Sequence, residues 1–213
     1  DVFDFRQTGP DQAELALPGA PIPPMRLVRV GPEARIDPRW AQASTPASPE
    51  GQADNPEMTR IYEADQAARH DLAHIDWTTV SKDDAARRAA VGILLAQHRL
   101  QSADDFLHAG FVFQHGDTAD DFLLAHTLAL VAMKEGSGSA AWLAAASLDR
   151  YLQAIGRPQI YGTQFRTQPG KPTDQEPYDR ALVSDELRQM LGVPDLSGQE
   201  MQRKAYEAAA KAP

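Results

Sequence analysis

The sequence predicts a mainly α-helical fold. Antiparallel helical hairpins are expected, either stacked solenoid-like as in tetratricopeptide or Sel1-like arrays or gathered as a bundle, behind an irregular Pro-rich N-terminal arm. Three observations predict it. Helix-start and helix-stop signals alternate along residues 55–156. Three consecutive segments between 103 and 155 are apolar enough to be buried helices. The eight-residue phrase from Ser102 to Ala109 recurs almost unchanged from Thr118 to Ala125, and helix starts repeat with a period of 37 residues (81 to 118, 102 to 139). Three regions result: an arm and linker over 1–55, a helical core domain over 56–165, and a C-terminal connection with short helices over 166–213.

In the arm, proline is dense, as in Ala20-Pro21-Ile22-Pro23-Pro24 and the loop Ser44-Thr45-Pro46-Ala47-Ser48-Pro49. Each proline removes a backbone donor and fixes φ, so a long helix is excluded. The alternation Leu27-Val28-Arg29-Val30 predicts one short strand, and residues 41–54 predict a flexible linker. Such an arm docks on the main body or on a protein partner.

The first helix, 56–75, is announced by Asn55-Pro56: Asn accepts from free N–H groups of the first turn, and Pro at the first helical position loses nothing. Ser81, Ser102 and Thr118 each stand three residues before an Asp, close to the capping box, and place starts near 83, 103 and 119. Gly116, Gly136 and Gly156 supply stops. The remaining helices are therefore expected over 83–101, 103–115, 119–135 and 139–155, with short ones near 185–191 and 198–211. The core is assigned to the three helices between 103 and 155, which carry Phe106, Leu107, Phe111, Leu124, Leu128, Trp142 and Leu143.

The formal net charge of −9 comes without a basic stripe, which argues against nucleic-acid binding. No apolar run is long enough to span a bilayer. With no cysteine there is no disulfide framework, thiol nucleophile or thiolate metal site. Nucleophile elbow, phosphate-binding glycine loop and dinucleotide fingerprint are all missing, so no cofactor is expected. The chain begins at Asp1, and a removed signal peptide is one expectation.

All six histidines lie between His70 and His126. His70 and His74 have the four-residue spacing of zinc ligands on a helix, but no Glu or third ligand accompanies them, so two surface imidazoles are the better account. His115 closes a buried helix; it either caps the last carbonyls or serves in a site, where the helix dipole favours its cationic form. Asp149 and Arg150 fall in a buried helix, where a charge needs a partner, and either bridge helices or belong to a site. The loop Arg157–Phe165, with Gln159, Tyr161, Thr163 and Gln164, holds groups that orient a polar ligand or that satisfy the loop's own backbone.

Asp65-Gln66-x-x-Arg69, His115 at a helix end, Asp149-Arg150 and Gln159-Ile160-Tyr161-Gly162-Thr163-Gln164 together resemble an uncharacterised bacterial helical family (a domain of unknown function) with a DQxxR, DR, QxYGTQ signature. The resemblance spans about residues 57–165. It implies that Asp65, Gln66, Arg69, His115, Asp149, Arg150, Gln159, Tyr161 and Gln164 converge on one pocket, and it implies no reaction. Its members are often exported, so a periplasmic or extracellular location is expected, with the cytoplasm as the alternative. The leading expectation is a polar pocket for a small molecule or peptide. The second is a hydrolase-like enzyme using His115 and Asp149, and the third an interaction scaffold.

Overall fold

The computed structural model describes residues 4–16, 25–29, 53–70, 75–168 and 171–210. The chain divides into two units, 1–44 and 45–213. Among the described residues it is mainly helical, with seven helices and one small sheet.

In the first unit, β1 (Asp4–Gly9), β2 (Gln12–Ala16) and β3 (Met25–Val28) form an antiparallel sheet in that order. β1 and β2 are a hairpin turning at Pro10-Asp11, in a register that sets Arg6 opposite Glu14, 3.0 Å from guanidinium to carboxylate. β2 pairs with β3 so that Ala13 faces Leu27. Where one short strand was expected, the described residues of the arm hold a three-stranded meander. The reason lies in exposure. β1 buries almost none of its side chains, Phe5 included, so no apolar alternation marks it in the sequence. The far end of the expected strand, at Val30, lies outside the described residues, as does the linker 41–52.

The second unit opens with α1 (Pro56–Ala67), where Asn55 accepts from the N–H groups of Glu57 and Met58 as expected of an N-cap. α2 (Trp77–Ala96) starts six residues earlier than the expected 83, with Asp76 as its cap. α3 (Ala103–Gln114) and α4 (Ala119–Lys134) each begin with a complete capping box, Ser102 with Asp105 and Thr118 with Asp121. Asp105 does more than close its own box. It is 1% exposed, and besides the N–H groups of Gln101 and Ser102 it accepts from that of Asn55 at 2.7 Å, tying the start of α1 to the start of α3. α5 (Ala140–Ala154), α6 (Asp185–Met190) and α7 (Leu196–Ala209) complete the unit.

Two stops behave as expected: Gly136 and Gly156 take φ of +106° and +73°, which a side chain disfavours. Gly116 does not adopt that conformation. Its missing Cβ leaves room for the Asp121 side chain, and His115 is the C-cap of α3.

α4 packs against both α3 and α5, and α1 and α2 pack on α3. The main apolar cluster gathers Met58, Ile61, Val91, Leu94, Val112 and Leu128, so α1 and α2 share the core with the later helices. A second cluster, around Leu107, Ala129, Ala132, Leu143 and Ala144, joins α3, α4 and α5. The expectation that those three helices are buried all round is corrected. Leu123, Leu130, Met133 and Trp142 are exposed, so α4 and α5 each keep one face in solvent. Among the described residues no helix is long and apolar enough to cross a membrane.

Candidate functional site

Asp65 lies in the last turns of α1 with no exposed surface. An unpaired carboxylate there would be strongly destabilising, so its partners define the local structure. Arg69, one helical turn on, donates to Oδ1 at 3.0 Å, and Gln66 donates to Oδ2 at 2.9 Å. The packing of α1 on α3 brings in His115, whose Nδ1 lies 2.9 Å from Oδ2. Arg69 and Arg87 both also bind Asp84 on α2. Burial pushes the Asp84 carboxyl up, but its bonds to Arg87 and Arg69 outweigh that and hold it below the usual carboxylate range. Two carboxylates and two guanidiniums thus balance, with His115 attached at Asp65.

An ionised carboxylate only accepts, so with Asp65 as partner His115 carries its proton on Nδ1. Among the described residues only Nδ1 of the ring is bonded, Nε2 meeting none of them, and the side chain keeps 20% of its surface exposed. The backbone is fixed as well. Arg88 donates to the His115 carbonyl at 3.1 Å and pairs with Asp117 at 2.6 Å. An imidazole oriented by a buried carboxylate, with its second nitrogen free, is an arrangement suited to proton transfer.

Asp149, on α5, is also without exposed surface and is satisfied differently. Oδ1 accepts from the N–H groups of Ile160 and Tyr161 at 2.8 and 3.0 Å. Oδ2 accepts from the N–H and hydroxyl of Thr163 at 2.9 and 2.8 Å. Its oxygens therefore hold the 160–163 loop. The expected pairing of His115 with Asp149 is corrected to His115 with Asp65, because α1 rather than α5 presents its carboxylate to the imidazole.

Gln159 and Gln164 are likewise engaged inside the loop. The Gln159 amide donates to the carbonyls of Gln164 and Gln175 and accepts from the Gln164 N–H. Gln164 reaches the Ala146 carbonyl on α5 and the Thr163 hydroxyl. The C-terminal segment clasps the same loop from the other side. Tyr178 and Gln199 donate to the carbonyl of Tyr161, and Gln175 donates to that of Gly162. Segment 171–210 thus belongs to the unit that holds the site.

Arg150 and Tyr161 differ from the rest. Among the described residues neither side chain has an ion-pair or hydrogen-bonding partner, and the Nε of Arg150 is buried. The Arg150 guanidinium lies 5.9 Å from the Phe122 ring centre. Burial, and then the nearby charge of Arg69, push its pKa below the ordinary value. Burial and then Asp149 push the Tyr161 phenol up.

The nine expected residues therefore fall into two groups, the Asp65–Gln66–Arg69–His115 network and the α5–loop assembly, linked electrically by Arg69 and Arg150. Asp84, Arg87 and Arg88 were not foreseen. Their signal was Asp84-Ala85-Ala86-Arg87-Arg88, a charged turn inside an Ala-rich helix. His70 follows the end of α1, and His74 lies outside the described residues. Clefts among the described residues have other linings: in the second unit one of about 380 Å³ beside Thr173, Glu176, Gln199 and Arg203, and in the first unit one of about 400 Å³ on the sheet beside Phe5 and Leu27.

Fold and site together define a mainly helical protein in which buried Asp65 holds half-buried His115 and, among the described residues, Arg150 meets no carboxylate. No family model matches the chain, and neither a curated protein nor a solved structure does.

Proposed function

We propose that the Asp65–His115 pair is the acid–base centre of an enzyme site for a small polar molecule or a peptide segment. One observation carries this: Nδ1 of His115 is held 2.9 Å from buried Asp65, while Nε2 meets no partner among the described residues. In this reading His115 transfers the proton, Asp65 positions the ring, and the Asp149-anchored loop supplies the adjoining wall with Tyr161. Hydrolysis would proceed with His115 activating water, since no hydroxyl is bonded to His115 among the described residues. That same fact favours a second reading, a polar binding pocket without chemistry.

The test is a screen of carboxylic esters, amides and phosphoesters against the wild type, His115→Gln and Asp65→Asn. Turnover by the wild type should fall about 10²–10⁴-fold in His115→Gln. Equal turnover in both proteins would remove His115 from the chemistry. Ligand binding that survives in His115→Gln, with no turnover by the wild type, would favour the binding reading.

Two broader readings accompany this proposal. A stack of helical hairpins is supported by the packing of α4 on both α3 and α5 across short connections. Membership of the uncharacterised bacterial family, and with it export from the cytoplasm, rests on the motif residues.

A further inference from the structure

The site holds one cation more than its own bonds use. Arg69, Arg87 and Arg88 all meet carboxylates, while Arg150 meets none among the described residues. Asp149, its neighbour in the chain, directs both oxygens to the 160–163 loop. Among the described residues the ring of Phe122 is the one aromatic surface near the Arg150 guanidinium, and its attraction is weaker than that of a carboxylate. A guanidinium whose Nε is buried, in the field of Arg69 and with no counter-charge among the described residues, is destabilising on its own. An incoming anion would relieve that cost, and the planar fork of Arg suits a carboxylate or phosphate.

We infer that Arg150 receives an anionic group, carboxylate or phosphate, of the ligand that the His115 site handles. The inference rests on the acid–base reading only for what happens next to the anion. Arg150 fixes the charged end, and the free Nε2 of His115 then acts on a neighbouring bond. The ligand class is accordingly a small anion-bearing molecule: a peptide with a free C-terminus or a phosphorylated compound.

The experiment follows thermal unfolding and calorimetric titration of the wild type, Arg150→Met and Arg150→Lys. The probes are inorganic phosphate and N-acetylglycine, with N-acetylglycinamide and sodium chloride at matched ionic strength as controls. One of the two anions should bind saturably and raise the melting temperature of the wild type, and the controls should not. Whichever anion does so identifies the source of the charge. Arg150→Met should lose that response yet melt no lower than the wild type in anion-free buffer, and Arg150→Lys should bind at least about tenfold more weakly.

An anion response retained in Arg150→Met, or no specific response in the wild type, would overturn the inference. So would a clear fall in the melting temperature of Arg150→Met without anion, because Arg150 would then be a packing residue. Nitrogen NMR of the His115 ring separates this from the acid–base reading. A neutral ring with Nδ1 protonated, whose preference is lost in Asp65→Asn, supports that reading whatever the anions do. No such preference would remove it even where Arg150 binds its anion.

Discussion

Asp65 and Asp149 are both carboxylates without exposed surface, and side chains satisfy one while main-chain N–H groups satisfy much of the other. The difference sets what their removal does. Asp149→Ala leaves three N–H groups and a hydroxyl without their acceptor, and should lower unfolding stability by about 3–5 kcal/mol in a denaturant titration. A loss below about 1 kcal/mol would mean that water or another group replaces the carboxylate. That Asp149 needed a partner was legible in its helix, because an apolar stretch cannot hold a bare charge. Which partner was not legible. The loop comes from residues 160–163, and their N–H groups, unlike side chains, carry no sequence signature. His115 is the converse case. Its place at a helix end was readable, but its carboxylate lies 50 residues away and only the packing of α1 on α3 selects it.

At the scale of elements, the starts of α3 and α4, written as a hydroxyl three residues before an Asp, were found, and that of α2, capped by Asp76 alone, was missed. Ser102 and Thr118 close true capping boxes, and Ser102→Ala should cost about 1 kcal/mol, measured by the same titration. The similar pattern at Ser81 sits inside α2, because Asp84 is drawn to Arg69 and Arg87 and the helix has already begun after Asp76. The loop after α5 depends on Gly162, whose φ is +83° and whose absent Cβ would collide with Gln199 and Tyr178. Gly162→Ala should therefore destabilise by more than about 2 kcal/mol, combining backbone strain with overpacking, and should increase proteolysis of the loop. A variant as stable as the wild type would show that the C-terminal segment can shift without loss. Sequence alone gave no route to this contact, since Gly162 and Gln199 are brought together only by the fold of residues 171–210.

For the molecule as a whole, stability should decline with acid in two stages. Burial pushes the His108 imidazole below its ordinary 6.5, against the pull of Asp104, Asp54, Asp105 and Glu63. The folded chain then favours the neutral ring, so the unfolded chain takes up the proton first as pH drops below 6.5, and some stability is lost from there downward. Asp84 and Asp121 are depressed despite burial, by bonds from Arg87 and Arg69 in one case and by bonds from Thr118 and Asp117 with the charge of Arg88 in the other. Glu200 is lowered from 4.5 to about 2 by Arg203. For depressed carboxylates the contribution is present above the unfolded value and lost as pH falls through the folded one, so a second decline begins near 4.5. Denaturant midpoints should thus be flat above about pH 7, fall gently at first, then steeply. His108→Phe, which keeps a ring against Tyr62, should remove the first stage alone. An unchanged first stage in that variant would assign it to another group.

The clasp around the loop has an evolutionary consequence. Tyr178, Gln175 and Gln199 grip the carbonyls of Tyr161 and Gly162, atoms that every amino acid possesses. A lineage could therefore exchange the Tyr161 side chain, and with it what the loop meets, without rewriting the segment that holds the loop in place. Gly162 alone would be barred from such drift, because its own substituent would strike the clasp.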